Sequence, residues 1–194
     1  MESEFGKKHL EYYWVSRDGE EHLRGVFCYA YPEVMNYKLS QVKEVASYDI
    51  DGFFFSMRQH ARLSCPYRQK DKFGFNKPIV EEYKRRYSVD ISKFEDVRYH
   101  IDSKNYPFGF IVQVEYIKGD FDRKKWHKLK GEYLTKFLEK SKLILRKREQ
   151  SLFIGILDPY EGYEGLAPMA QMHLDWKNWS AKKIRWTYYN WYTC

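Results

Sequence analysis

Asp49-Ile50-Asp51-Gly52-Phe53-Phe54-Phe55-Ser56-Met57-Arg58-Gln59-His60 is the stretch that decides how this chain is read. A polar, turn-forming start leads into an unbroken apolar run, which stops at an arginine and a histidine. Consecutive apolar residues without polar alternation predict a strand covered on both faces, as in a parallel sheet. Such a strand delivers Arg58 and His60 at its carboxyl end, where the loops of parallel barrel enzymes hold their chemistry.

Upstream, Gly25-Val26-Phe27-Cys28-Tyr29-Ala30-Tyr31 reads as a second buried strand, with Tyr29 and Tyr31 near its exit. Pro32-Glu33 then opens a helix reaching about Ser47. Proline suits the first helical turn, and a carboxylate there favours the positive end of the helix dipole. Strand, helix and strand within about thirty residues predict a right-handed βαβ unit. Downstream of His60 comes a loop rich in charge and turn residues, closed by Asp71-Lys72-Phe73-Gly74-Phe75-Asn76-Lys77-Pro78 and a helix from Ile79 to about Tyr87.

Residues 88–120 read as an irregular insertion, in which 110–116 is either a short extra strand or part of a lid. The longest helix is expected from about Arg123 to Arg148, with Asp120 and Asp122 as alternative caps. Trp126, Leu129, Tyr133, Phe137, Leu138 and Leu145 form its apolar stripe. Ser151–Leu157 is a further strand, leaving into Asp158-Pro159-Tyr160-Glu161-Gly162. A short helix near 176–181 and a last strand over 184–192 complete the pattern. Four strands alternating with helices predict an α/β fold with a parallel sheet, in one domain over residues 1–194.

Composition narrows the partners. Aromatic residues make up 19% of the chain, and rings that surface suit flat ligands such as sugars or bases. The formal charge of +7 favours anionic partners weakly and alone decides little. Cys28, Cys65 and Cys194 are too scattered for a disulfide framework or a metal knuckle, and Cys28 reads as a buried free thiol. No segment approaches the roughly 18 apolar residues of a membrane span. The N-terminus lacks the apolar core of a signal peptide, so secretion is unsupported. The six histidines show no His-x-x-x-His spacing and no Cys-x-x-Cys pair exists, so no metal site is expected. No Gly-x-Gly-x-x-Gly, no Gly-x-x-x-x-Gly-Lys and no Gly-x-Ser-x-Gly occurs, so neither a nucleotide cofactor nor a serine nucleophile is expected.

Pro32-Glu33-Val34, followed after a helix by Tyr48-Asp49-Ile50-Asp51-Gly52, resembles a segment of the glycosyl-hydrolase-like (family-10-like) TIM-barrel proteins. Phe73–Tyr83, Trp126–Leu134 and Leu174–Trp179 are similar to further stretches of the same group, in matching order. The resemblance covers most of residues 25–185 and implies the third to sixth strands of an eight-stranded barrel. The fold it implies is therefore a partial or irregular (β/α) barrel, and the ligand a carbohydrate. The related pattern often ends its fourth strand in aspartate, where this chain has Ser56.

Hydrolysis of a glycoside needs two carboxyl groups across the scissile bond, roughly 5–9.5 Å apart depending on stereochemistry. Asp158, directly after Leu157, is the first candidate and Glu161 the second; Asp158-Pro159 also reads simply as a turn. Arg58 and His60, two apart on an extended segment, share a face and can donate to sugar hydroxyls or carboxylates. Tyr29, Tyr31 and Tyr160 are expected to stack on or bond to sugar, with core packing the competing account for Tyr29 and Tyr31. Two other classes compete. A non-catalytic carbohydrate-binding or assembly module would use the same surface, and a homodimer would cover the open edges of a four-stranded sheet. Nucleic-acid binding would use the helix 123–148, which holds eleven Lys or Arg against Glu132 and Glu139. Its aromatic residues lie on the apolar stripe rather than among the charges, which argues against that class.

Overall fold

A computed structural model describes residues 3–56, 73–93, 97–101, 111–116, 122–157 and 175–189. The chain begins with a short helix α1 (Glu4–Lys8) and a 3-10 turn (Leu10–Tyr12), then strands β1 (Tyr13–Val15) and β2 (His22–Phe27). Helix α2 (Pro32–Val45) and strand β3 (Gly52–Ser56) follow, then helix α3 (Lys77–Tyr87). Strands β4 (Val97–Ile101) and β5 (Ile111–Tyr116) precede the long helix α4 (Arg123–Arg146). Strand β6 (Ser151–Leu157), helix α5 (Trp176–Ala181) and strand β7 (Arg185–Tyr189) close the order.

Strand β3 pairs in parallel with β6, and β6 with β7, so the middle strand of this sheet comes from late in the chain. The register runs Phe53 to Leu152 and Phe55 to Ile154 on one side, and Ile154 to Trp186 on the other. Strands β1 and β2 form an antiparallel pair, as do β4 and β5.

The expected barrel does not form among the described residues. Among the described residues the parallel sheet has three strands, the other four strands form two antiparallel pairs, and no sheet closes. The strand read at 25–31 is the main cause. It ends at Phe27 and folds back on β1 as a hairpin, because Ser16-Arg17-Asp18-Gly19 makes a turn between them. Gly19 supplies the positive φ of 80° that this turn requires. The segment read at 110–116 is a strand, but its partner β4 is antiparallel.

The Phe53-Phe54-Phe55 run also differs from its reading. Phe53 and Phe55 are half-buried against the core, with Phe55 5.3 Å from the Phe137 ring, whereas Phe54 is 46% exposed. Its cross-strand neighbour Phe153 is 38% exposed, and the Arg185 guanidinium lies 5.4 Å from the Phe153 ring centroid. An apolar residue on an incompletely covered face looks the same in sequence as one that is sheathed.

Helix α4 organises the core. Its stripe reads as expected: Trp126, Leu129, Phe137, Leu138 and Leu145 are fully buried, with Leu134 added and Tyr133 half-buried. Burial of each such side chain stabilises by roughly 1.5–3 kcal/mol relative to exposure. Asp122 caps the helix by accepting the Lys125 N–H at 3.1 Å, which satisfies one of the four free donors at its start. Asp120, the alternative cap, lies outside the described residues. In α2, Val34 and Val42 are buried as their spacing predicts, and Pro32 occupies the first turn. Cys28 is a free, buried thiol pushed up to about 12 by burial, so it stays protonated at neutral pH. No helix among the described residues is long and apolar enough to cross a membrane.

Candidate functional site

Two surfaces carry the residues singled out from the sequence. The first is the carboxyl end of the parallel sheet. Strands β3 and β6 run side by side in the same direction, with Ser56 opposite Gly155, so the chain leaves both strands at one end of the sheet. Arg58 and His60 follow Ser56 in the chain, and Asp158, Tyr160 and Glu161 follow Leu157. These five lie outside the described residues.

The second surface surrounds the end of β2. The Cys28 N–H donates to the Tyr12 carbonyl at 2.8 Å, and the Tyr31 N–H donates to the Cys28 carbonyl at 3.2 Å. These bonds carry the chain round a turn and place Tyr31 at the N-cap of α2. Tyr29 points the other way: it is buried, its ring 4.9 Å from Phe137, and burial raises its hydroxyl above the usual tyrosine range. Tyr31 remains half-buried, with its ring 5.0 Å from Tyr12. Burial raises its hydroxyl too, while a hydrogen bond with Asn76 draws it back. The core takes Tyr29, and Tyr31 keeps a face towards solvent.

Around Tyr31 and Tyr12 lie rings and charges that the sequence reading did not single out. Tyr12 stacks with His9 at 5.1 Å and with Phe5 at 5.6 Å, and Phe5 stacks on Tyr37 at 4.1 Å. The exposed Glu11 accepts from His9 Nδ1 at 3.1 Å when that nitrogen is protonated. Hydrogen bonds from its own backbone and from His9 hold the Glu11 carboxyl below its usual value. The result is a partly exposed aromatic surface edged by Glu11 and Glu33, with donors and acceptors beside ring faces. That combination suits a ligand with one apolar face and several hydroxyls.

The floor of this surface is held by buried polar groups. Asn76 donates from Nδ2 to the Tyr13 carbonyl at 2.7 Å and accepts the Val15 N–H on Oδ1 at 3.4 Å. Its side chain therefore ties the start of α3 to β1, instead of capping its own helix. Beneath it the Lys130 ammonium lies 3.5 Å from the Trp126 ring centroid and 5.1 Å from that of Trp14. A desolvated cation on an indole face is worth about 2 kcal/mol. Gly74, at φ 107°, makes room for it: a Cβ there would sit 2.8 Å from Lys130 Cδ. The Phe73-Gly74-Phe75-Asn76 motif is thus a packing device under the aromatic surface. Its long-range use of Asn76 left no local signal in the sequence.

Among the described residues, no three His, Cys, Asp or Glu side chains gather in a way that could hold a metal ion. No family model matches the chain, and no curated protein matches it. A solved structure that does is a beta-galactosidase from the psychrophilic Marinomonas ef1, 9% identical with a TM-score of 0.46, covering 80% of this chain and 26% of that chain. The chain thus spans about a quarter of that enzyme's length, and a likeness this slight carries over neither its fold nor its activity.

Proposed function

We propose that this chain recognises a polysaccharide at the carboxyl ends of its parallel strands, and that Asp158 and Glu161 add glycoside-hydrolysing chemistry there. One observation carries the reading: β3 and β6 are parallel neighbours, so the segments bearing Arg58, His60, Asp158 and Glu161 leave from one end of one sheet. In open parallel sheets, ligands bind outside the carboxyl ends of the strands. The family resemblance of the Tyr48–Gly52 and Phe73–Tyr83 stretches supports the choice of sugar. In this reading Arg58 and His60 orient hydroxyl or carboxylate groups, Tyr31 and Tyr160 offer stacking faces, and the two carboxyl groups flank the scissile bond. The rings of α4 do not favour nucleic acid, since Trp126 and Phe137 are fully buried and unavailable to stack on bases.

The test is a glycan screen followed by titration and turnover measurements on any polysaccharide bound. Asp158→Ala and Glu161→Ala are expected to lower turnover by at least about 100-fold while binding survives, since each removes a group acting in the transition state. Binding with no turnover in the parent chain would identify a non-catalytic module and remove hydrolysis from the proposal. Absence of any glycan binding would remove the proposal altogether.

A further inference from the structure

Helices α4 and α5 enclose an open cleft of about 180 Å³. Its lining is unusual in charge. Lys128, Lys136 and Lys182 line it together with Glu132, Glu139 and Asp175, and Thr135 and Asn178 complete the polar wall. The three carboxylates already have partners. Glu132 accepts from Arg86 at 2.7 Å, Glu139 pairs with Lys182, and Asp175 caps α5 by accepting the Asn178 N–H at 3.2 Å. The lysines are less well compensated. Among the described residues neither Lys128 nor Lys136 has a carboxylate within ion-pair distance, and Lys136 rests over the Tyr133 ring at 5.0 Å. Both are exposed, and both border the cleft.

The wall itself is firmly built. Trp179, fully buried, donates from Nε1 to Thr135 Oγ1 at 2.9 Å and fixes α5 against the middle of α4. Lys142 also donates to the Lys182 carbonyl at the end of α5. Two hydrogen bonds therefore tie together the helices that border the cleft.

We infer that this cleft binds an acidic sugar unit of a polysaccharide, with Lys128 and Lys136 taking its carboxylate and Glu132, Glu139, Thr135 and Asn178 taking its hydroxyls. The chemistry follows from the mixture. A uronate offers one anionic group and several O–H donors, which need cations and acceptors side by side. A nucleic-acid backbone offers charge but few donors, so it leaves the cleft acceptors without hydroxyls to bind. No aromatic ring lines the cleft to stack a base. The volume is below the usual range for a drug-sized ligand, roughly 300–1,000 Å³, and suits a single ring. The inference rests on the carbohydrate reading for the class of polymer, but it uses a different surface from the carboxyl ends of the strands.

The experiment is calorimetric titration of the full chain with trigalacturonate, with its methyl-esterified neutral counterpart, and with a single-stranded RNA oligomer. The same titrations are run on a Lys128→Gln/Lys136→Gln variant and on Asp158→Ala/Glu161→Ala. The expected result is trigalacturonate binding that weakens about tenfold in the lysine variant and weakens with salt. Equal affinity for the methyl ester would overturn the inference, as would uronate binding indifferent to the lysines. RNA bound more tightly than the uronate through the same lysines would overturn it as well. Unchanged turnover in Asp158→Ala/Glu161→Ala bears on the proposed function alone, so the two failures stay distinguishable. Both lysines are exposed, so their replacement leaves the fold intact, and an unchanged circular dichroism spectrum confirms that in each titrated sample.

Discussion

At the scale of single residues, Glu82 is the best-placed reporter of the folded state. It accepts from Arg85 Nε at 2.8 Å and from Arg86 Nε at 2.7 Å, and Arg86 reaches on to Glu132 on α4. The hydrogen bonds from Arg85 and then Arg86 pull its carboxyl down to about 2. The sign follows directly. A carboxyl bound more weakly to its proton in the folded state stabilises the fold above its unfolded value, near 4.5, and that contribution is lost as pH falls towards 2. With the arginines partly solvated, the loss is expected to be about 1–2 kcal/mol. Urea melts at a series of pH values should show a steeper acid-side loss of stability in the parent chain than in Glu82→Gln. Residues of this kind differ in legibility. Asp122 was legible as one of two alternatives, because a cap acts within three positions of its own place in the chain. Asn76 was not, since its amide works on Tyr13 and Val15, more than sixty positions away.

At the scale of elements, helices α2 and α4 and strands β3 and β6 stand close to where periodicity placed them, because each buries a stripe whose spacing is local. The β1–β2 hairpin was missed, although Asp18-Gly19 between two apolar runs is a recognised turn signal. What hid it was the apolar run of β2, which continues through the turn to Tyr31 and mimics a longer buried strand. The Phe73–Asn76 segment shows the opposite case, where an irregular stretch packs as tightly as any helix. The Phe73 backbone bridges to Ser16, and the Gly74 and Phe75 N–H groups both donate to the Val15 carbonyl, at 3.0 and 3.1 Å. Gly74→Ala would strain a positive φ and drive a methyl group into Lys130 and Trp126. A destabilisation of about 1–3 kcal/mol is expected in chemical denaturation, where an unchanged midpoint would argue that the segment gives way cheaply.

At the scale of the whole molecule, strand order is what sequence could not supply. Alternation of strands and helices says that elements pack in layers, but not which strand lies beside which. Here β6 sits between β3 and β7, and of the four strands assigned to a barrel, β2 leaves to pair antiparallel with β1. The candidate site inherits this limit: its residue types at strand exits were legible, while the turning of Tyr29 into the core and Tyr31 outwards was decided by tertiary hydrogen bonds. Since β6 supplies the neighbour of both β3 and β7, a chain stopped at residue 150 is expected to lose its cooperative thermal transition, as followed by circular dichroism. Retention of a sharp transition would mean that the N-terminal part holds together without the sheet.

The position of β6 also has a consequence for biosynthesis. Phe53, Phe54 and Phe55 emerge from the ribosome about a hundred residues before the strand that pairs with them, a delay of roughly 5–20 s at ordinary translation rates. For that interval a sticky triplet of rings hangs unprotected on the nascent polypeptide, an invitation to holdase chaperones and to premature self-association alike.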